Sequence, residues 1–242
     1  MNRKLGTYKT TANLSSETLF HFTGNFNTLE LILQNGFQAR WIYEKLPGRK
    51  LAYFTKTVCF CDIPLGLIKE HVNWYGTYGI GINRPTAIDH GLSPIMYLHP
   101  KSPKFPKGNS ERTRNWFNDF KFTSYLKQVK GKQMFFNEAE DPFWKWKTFY
   151  NEREWRYFPP NNEIFVVKYK KETDLEERRK ELNNDNELPF FPIEPDWIEY
   201  ILINDPKEIE GLIKILKTKR FKPNFDNLLT KVITFKQIRK DF

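Results

Sequence analysis

The stretch LFHFTGNFNTLELILQNGF, residues 19–37, reads as a strand, a tight turn and a short helix. Leu19 to Thr23 alternates with the period of two expected of a half-buried strand. Asn25 or Asn27 can cap a helix, because an asparagine side-chain oxygen accepts from the free amides of the first turn. Leu29, Ile32 and Leu33 then recur at helical spacing, and Gly36 is placed as a terminator.

Working outward, TVCFCDIPLGLIKEHVNWYGTYGIGI, residues 57–82, repeats that order. Val58 to Cys61 reads as a buried strand, Asp62 as a cap, and Pro64 suits a first helical turn. His71, Trp74, Tyr75 and Tyr78 share one face if the helix persists, although Gly76 and Gly79 indicate an end near them. Gly79 to Ile82, Pro94 to Leu98, the segment EIFVVKYK (163–170) and Trp197 to Asn204 read as further strands. Asp174 to Leu182 is a charged helix or loop. Lys207 to Lys217 is an amphipathic helix with Ile209, Leu212, Ile213 and Leu216 inward, and Val232 to Phe235 a last strand. Several strands with helices that do not alternate regularly predict an α+β class. One domain over residues 1–242 is expected, with a basic insertion at about 101–133; the sharpest change of composition otherwise falls around Lys171 to Pro195.

With 17% aromatic residues, a core needs no disulfides. Cys59 and Cys61 flank Phe60 and point to one strand face, so two buried free thiols are expected, and no metal. Such thiols fit a reducing compartment. No apolar run reaches the roughly 20 residues that span a bilayer, and the start MNRKLGTYKTTANLSSE lacks the apolar middle of a signal peptide. A cytoplasmic protein with no membrane partner is the expectation. The net charge of +10 is concentrated. Lys101, Lys104, Lys107, Arg112, Arg114, Lys121, Lys127, Lys130 and Lys132 face only Glu111 and Asp119. Such a field attracts phosphate backbones or an acidic protein, and aromatics among the lysines favour nucleic acid. A solvated insertion gives the same pattern.

No glycine-rich phosphate loop, dinucleotide fingerprint or paired-histidine metal motif occurs. The distinctive segment is YNEREWRY, residues 150–157. On a strand, Glu152 and Glu154 share one face, and Arg153 and Trp155 the other. Two carboxylates so close repel unless a cation or a substrate separates them. One can stabilise charge electrostatically while the other orients or deprotonates a nucleophile. Solvated charges on an edge strand are the plainer reading. Phe149, Tyr150, Tyr157 and Phe158 around them favour a cleft, and His21, at the end of a strand, becomes a candidate ligand contact.

In this order, these pieces resemble the ADP-ribosyltransferase fold, with a split β-sheet core and short helices. The opening HFTGNFNTLELILQNGF is similar to the start of the DarT-like nucleic-acid ADP-ribosyltransferases. A second resemblance covers nearly the whole chain: LFHFTG, VCFCDIPL, HVNWYGTYGIGI, SPIMY, FYNEREWRY, WIEYILI with KEIEGLI, and KVITFKQIRKDF resemble the AbiGi family. That family is associated with abortive infection against phage and is labelled an antitoxin. The transferase resemblance implies NAD as substrate. Glu154 would hydrogen-bond the nicotinamide-side ribose and stabilise an oxocarbenium-like transition state. Glu152 would orient or deprotonate the acceptor. His21, with Thr23, would hold NAD, and Tyr75 or Tyr78 would stack on nicotinamide. Arg156 would pair with a phosphate or lock Glu154. The basic residues Arg112, Arg114, Lys121, Lys127, Lys130 and Lys132 would meet nucleic acid. The alternative is a non-catalytic antitoxin whose partner is a toxin protein; a nuclease or another NAD-consuming hydrolase is a third possibility.

Overall fold

An eleven-residue strand, Leu51–Cys61, organises the fold. The computed structural model describes residues 15–46, 50–99, 101–102, 111–113, 115, 122–137, 140–185 and 187–241. Within them the strands in chain order are β1 (Thr18–Thr23), β2 (Phe37–Gln38), β3 (Arg40–Lys45), β4 (Leu51–Cys61), β5 (Tyr78–Asn83), β6 (Ser93–Pro94), β7 (Met96–Leu98), β8 (Leu126–Gln128), β9 (Lys130–Asn137), β10 (Glu140–Thr148), β11 (Glu154–Tyr157), β12 (Ile164–Lys168), β13 (Phe190–Phe191), β14 (Ile198–Ile203) and β15 (Val232–Thr234). The helices are α1 (Phe26–Asn35), α2 (Lys69–Tyr75), α3 (Arg84–Asp89), α4 (Glu172–Leu182), α5 (Ile209–Leu216), α6 (Phe225–Thr230) and α7 (Phe235–Asp241), with 3₁₀ turns between. The class is α+β.

The main sheet runs β15-β14-β5-β1-β4-β11-β6, with β3 and β12 on the remaining length of β4. The first half of β4 pairs antiparallel with β3 and β12. Its second half pairs with β11, from Tyr157 opposite Val58 to Glu154 opposite Cys61. β1 and β4 share a single register pair, Phe20 with Cys61. There the ladder parts, and His21 Nδ1 donates to the Cys59 carbonyl at 2.8 Å in place of a backbone amide. The sheet therefore opens at the residue picked out on the first strand.

Local reasons for the elements are plain. Asn25 caps α1, its side chain accepting from the Thr28 amide at 2.8 Å, while Gly36 ends it at φ 92°. Leu29, Ile32 and Leu33 are buried against Leu19, Ile80 and Leu212 in the larger core. Each such side chain contributes roughly 1.5–3 kcal/mol. A second core, Phe20, Phe22, Ile68, Val72, Leu202 and Phe235, includes residues of α2 and α7.

α2 stops at Gly76, where the sequence indicates an end: its φ is 101°, and a Cβ there would collide with the Thr23 carbonyl oxygen. The helix does not persist, so Tyr78 begins β5 and does not extend the face of Tyr75. Several expectations are corrected. Asp62 caps nothing: it accepts from Ser15 Oγ and the Ser16 amide and pairs with Arg84 and Arg153. Pro94 to Leu98 is two short strands. Ile215, not Ile213, is buried on α5. Residues 172–182 are helical throughout, and Phe235 opens a helix instead of closing a strand. Among the described residues, no helix is long and apolar enough to cross a membrane.

Candidate functional site

YNEREWRY is not one strand. Phe149–Glu152 is a 3₁₀ turn, Arg153 takes a left-handed conformation at φ 45°, and β11 begins at Glu154. The kink still brings both carboxylates to one place. Lys127 Nζ, from β8, donates to Glu152 Oε2 at 2.6 Å and to Glu154 Oε2 at 2.7 Å. Of the two ways to separate close carboxylates, a cation or a substrate, this fold uses a cation of its own chain. Arg153 pairs with Asp62, and Trp155 packs on the main core.

Three further charged groups complete the cluster. Period two along β11 puts Arg156 on the face of Glu154, to which its Nε donates at 2.7 Å. Arg156 also donates to Glu44 on β3, to the Tyr53 hydroxyl and to the Ser124 carbonyl. Lys147 Nζ, from β10, lies 2.6 Å from Glu152 Oε1, 3.0 Å from the Tyr75 hydroxyl and 4.4 Å from the Trp74 ring centroid. Tyr75 in turn donates to Glu152. Glu44, Glu152 and Glu154 thus balance Lys127, Lys147 and Arg156, all six at most 8% exposed. Among the described residues no buried side-chain polar atom lacks a partner.

Burial pushes every one of these charges toward neutrality, and the neighbours decide the outcome. For Glu154, Arg156 and Lys127 overcome burial and hold the carboxyl below the usual range. Lys127 and Lys147 do the same for Glu152. At Glu44 burial prevails over Lys127 and Arg156, and the carboxyl is raised. Lys127 is raised by its three carboxylates against burial, whereas Lys147 is lowered by burial, only partly offset by Glu152. Burial raises both thiols, Cys59 and Cys61, which are free, so neither is an activated nucleophile.

The cluster forms part of the wall of a cavity of about 340 Å³. His21, Tyr75, Glu152, Glu154 and Arg156 line it together, as do Lys132, Trp144 and Phe149. The sequence candidates from β1, α2 and β11 therefore share one cleft. Because the Cys59 carbonyl can only accept, His21 carries its proton on Nδ1, and the neutral ring keeps an Nε2 lone pair. A second cavity of about 290 Å³ has His71 and Glu152 in common with the first.

Other candidates fall elsewhere. Thr23 and Tyr78 do not line this cavity; Tyr78 donates to Glu208 at 2.5 Å. Tyr75 is present; its ring packs on His71 at 4.6 Å and carries Lys147 Nζ at 4.2 Å, and its hydroxyl donates to Glu152. Lys127 lies in the interior, not on a basic face. Arg112, Lys130 and Lys132 are exposed, whereas Arg114 and Lys121 lie outside the described residues. The end of the basic segment is not a separate appendage: β8 and β9 form cavity wall. Sequence reasoning does not reach Glu44, Lys147, Tyr53 or Tyr97, whose hydroxyl accepts from the Glu154 amide at 2.9 Å. The signal for Lys147 was its place in WKWKT, a lysine alternating with tryptophans; Glu44 sits likewise after Trp41 and Tyr43.

A family model described as "Putative abortive phage resistance protein AbiGi, antitoxin" matches residues 48–204. The chain belongs to the AbiGi family. The AbiGi match spans Tyr75, Lys127, Lys147, Glu152, Glu154 and Arg156, and leaves His21 and Glu44 before it. The chain is also 22% identical over 225 residues to the abortive phage resistance protein AbiGi of Lactococcus lactis subsp. cremoris, covering 78% of this chain and 90% of that protein. No solved structure matches.

His71 gives the site an acid-sensitive element. Burial lowers its pKa from 6.5 to about 4. The unfolded chain then takes up a proton that the folded chain refuses, so stability falls as pH drops from about 6.5 to 4. The loss expected from this residue is about 2–3 kcal/mol. His71→Gln should flatten that part of a urea-melt series. An unchanged slope would show that His71 protonates freely in the fold.

Proposed function

We propose that this AbiGi protein is a phage-defence ADP-ribosyltransferase that uses NAD as substrate. The observation carrying the reading is the convergence of His21, Tyr75, Glu152 and Glu154, from separate elements, on one cavity. At about 340 Å³ it is at the small end for ligand sites, enough for the nicotinamide–ribose end of the substrate. In the proposed step the bond from ribose C1′ to the nicotinamide nitrogen breaks, and the electron pair leaves with neutral nicotinamide. The acceptor's lone pair forms the new bond at C1′, and its proton passes to Glu152, which lines both cavities. Glu154 stabilises the oxocarbenium-like charge, and His21 Nε2 accepts from a ribose hydroxyl. The test is incubation with NAD labelled in the adenylate half, alongside DNA, RNA and cell lysate. Label appearing on none of them overturns the reading.

Nucleic acid is the favoured acceptor class. On the β9–β10 hairpin Trp146 is 65% exposed, with Lys132 Nζ 5.9 Å from its ring, and Lys130 is exposed beside them. An exposed indole beside lysines stacks a base while the cations follow phosphates. Trp146→Ala with Lys132→Glu should weaken single-stranded oligonucleotide binding by about 10- to 100-fold and lower its salt slope by roughly one. Unchanged binding across a salt series removes the hairpin from the acceptor site.

A second reading, a non-catalytic antitoxin that binds a toxin, is favoured by the charge balance. Carboxylates already paired with internal cations have little field to offer a reaction. Under it, Glu154→Gln leaves phage protection intact wherever the fold is retained.

A further inference from the structure

Lys127 differs from the other two cations of the cluster. Arg156 is held by four partners: Glu154 on its own strand, Tyr53 on the neighbouring β4, Glu44 on β3 and the Ser124 carbonyl. Lys147 is clasped by Glu152 and by the rings of Trp74 and Tyr75. Lys127 instead reaches the carboxylates from β8, a strand of three residues whose one strand partner among the described residues is the parallel β7. Its Nζ sits between Glu152 and Glu154, 3.5 Å from Glu44 and 4.9 Å from the centroid of the Phe149 ring. Carboxylates on several sides with an aromatic face below are the surroundings an organic cation takes. The ammonium group is on a flexible four-carbon stem, so it can leave by rotation of the side chain while β8 stays.

We propose that Lys127 is an internal occupant of the cavity, a self-ligand that keeps the carboxylate pair neutralised until a cationic group of the true ligand displaces it. The inference rests on the transferase reading for the identity of that ligand: the nicotinamide ring of NAD is positively charged until its bond to ribose breaks. With Lys127 in place the six groups balance, and an entering cation meets a cluster with no net charge. With Lys127 withdrawn, Glu44, Glu152 and Glu154 are opposed within the cluster by Lys147 and Arg156, and one positive charge restores the balance. The same withdrawal frees Glu154 to stabilise a developing cation and lets Glu152 rise toward a useful base. Lys127 thus makes the resting cavity autoinhibited.

The test compares wild type with Lys127→Gln, using 1-methylnicotinamide as cationic probe and nicotinamide as its neutral counterpart, by calorimetry at low salt. Lys127→Gln should bind the cation at least tenfold more tightly than wild type, with nicotinamide affinity changed by less than threefold. The double variant Lys127→Gln/Glu44→Gln, again charge-balanced, should lose that gain. An equal change for both probes, or none for the cation, overturns the proposal. Where Lys127→Gln does not stay folded, the readout is its recovery on refolding. Saturating 1-methylnicotinamide should restore folded protein and nicotinamide should not, and equal recovery with both overturns the proposal. A gain for the cation with no ADP-ribose transfer by any variant keeps the self-ligand and removes the transferase. Transfer by wild type with no gain in Lys127→Gln does the reverse.

Discussion

Replacing Arg156 by methionine should cost about 3–5 kcal/mol of folding stability, read from urea melts at pH 7. Arg156 is fully buried and is the donor that holds Glu44, Glu154, the Tyr53 hydroxyl and the Ser124 carbonyl. Methionine is apolar and of similar length, so little volume is lost. What is lost is the partner of two buried carboxylates, and an uncompensated buried charge is far more expensive than the pair was beneficial. Glu44 is already raised by burial and would be the first to take up a proton. The deficit should therefore shrink in Arg156→Met/Glu44→Gln, because one orphaned charge is removed with the other. A loss below about 1 kcal/mol for Arg156→Met would mean that water reaches the cluster and solvates it.

Glu154→Gln should lower ADP-ribose transfer by about 10²- to 10³-fold while the protein stays folded. The amide keeps the size of the carboxylate and one acceptor oxygen for Arg156 Nε, so the geometry of β11 persists. What is removed is the negative charge that, in the proposed step, stabilises the transition state beside the ribose. Glu152→Gln separates the roles: it should depress transfer to the acceptor more than hydrolysis of NAD by water. Equal transfer by Glu154→Gln and wild type would leave the cluster as a structural device and favour the antitoxin. Folding of each variant is checked by far-UV circular dichroism, since Glu154 also anchors Lys127 and Arg156.

Much of this was legible where a residue's meaning depends on its near neighbours. Asn25, Leu29, Ile32, Leu33 and Gly36 define α1 by rules that operate within four residues, and the structure follows them. Glu152 and Glu154 stand out in the sequence, with the requirement that a cation or a substrate separate them. The failures share a cause. The strand reading of 150–157 overlooked the turn at Arg153, a non-glycine residue at positive φ that tertiary contacts sustain. Spacing leaves Tyr78 on the face of Tyr75 only if the helix persists past Gly76; the close approach of Thr23 that demands a glycine there is a contact between elements. Lys127 reads as one more basic residue of its segment, because charge is visible in a sequence and burial is not.

The sequence by itself determined the α+β class, the strand–helix opening, the family and the pair of carboxylates with His21 as companion. Each depends on composition, local periodicity or the order of short segments. Only the tertiary structure decided which cation stands between the carboxylates, and that Glu44, Lys147 and Arg156 complete a balanced cluster. Glu44 and Lys127 are far apart in the chain, and the pairing of a buried charge is set by whichever opposite charge the fold brings within a few ångströms. No periodicity encodes that distance.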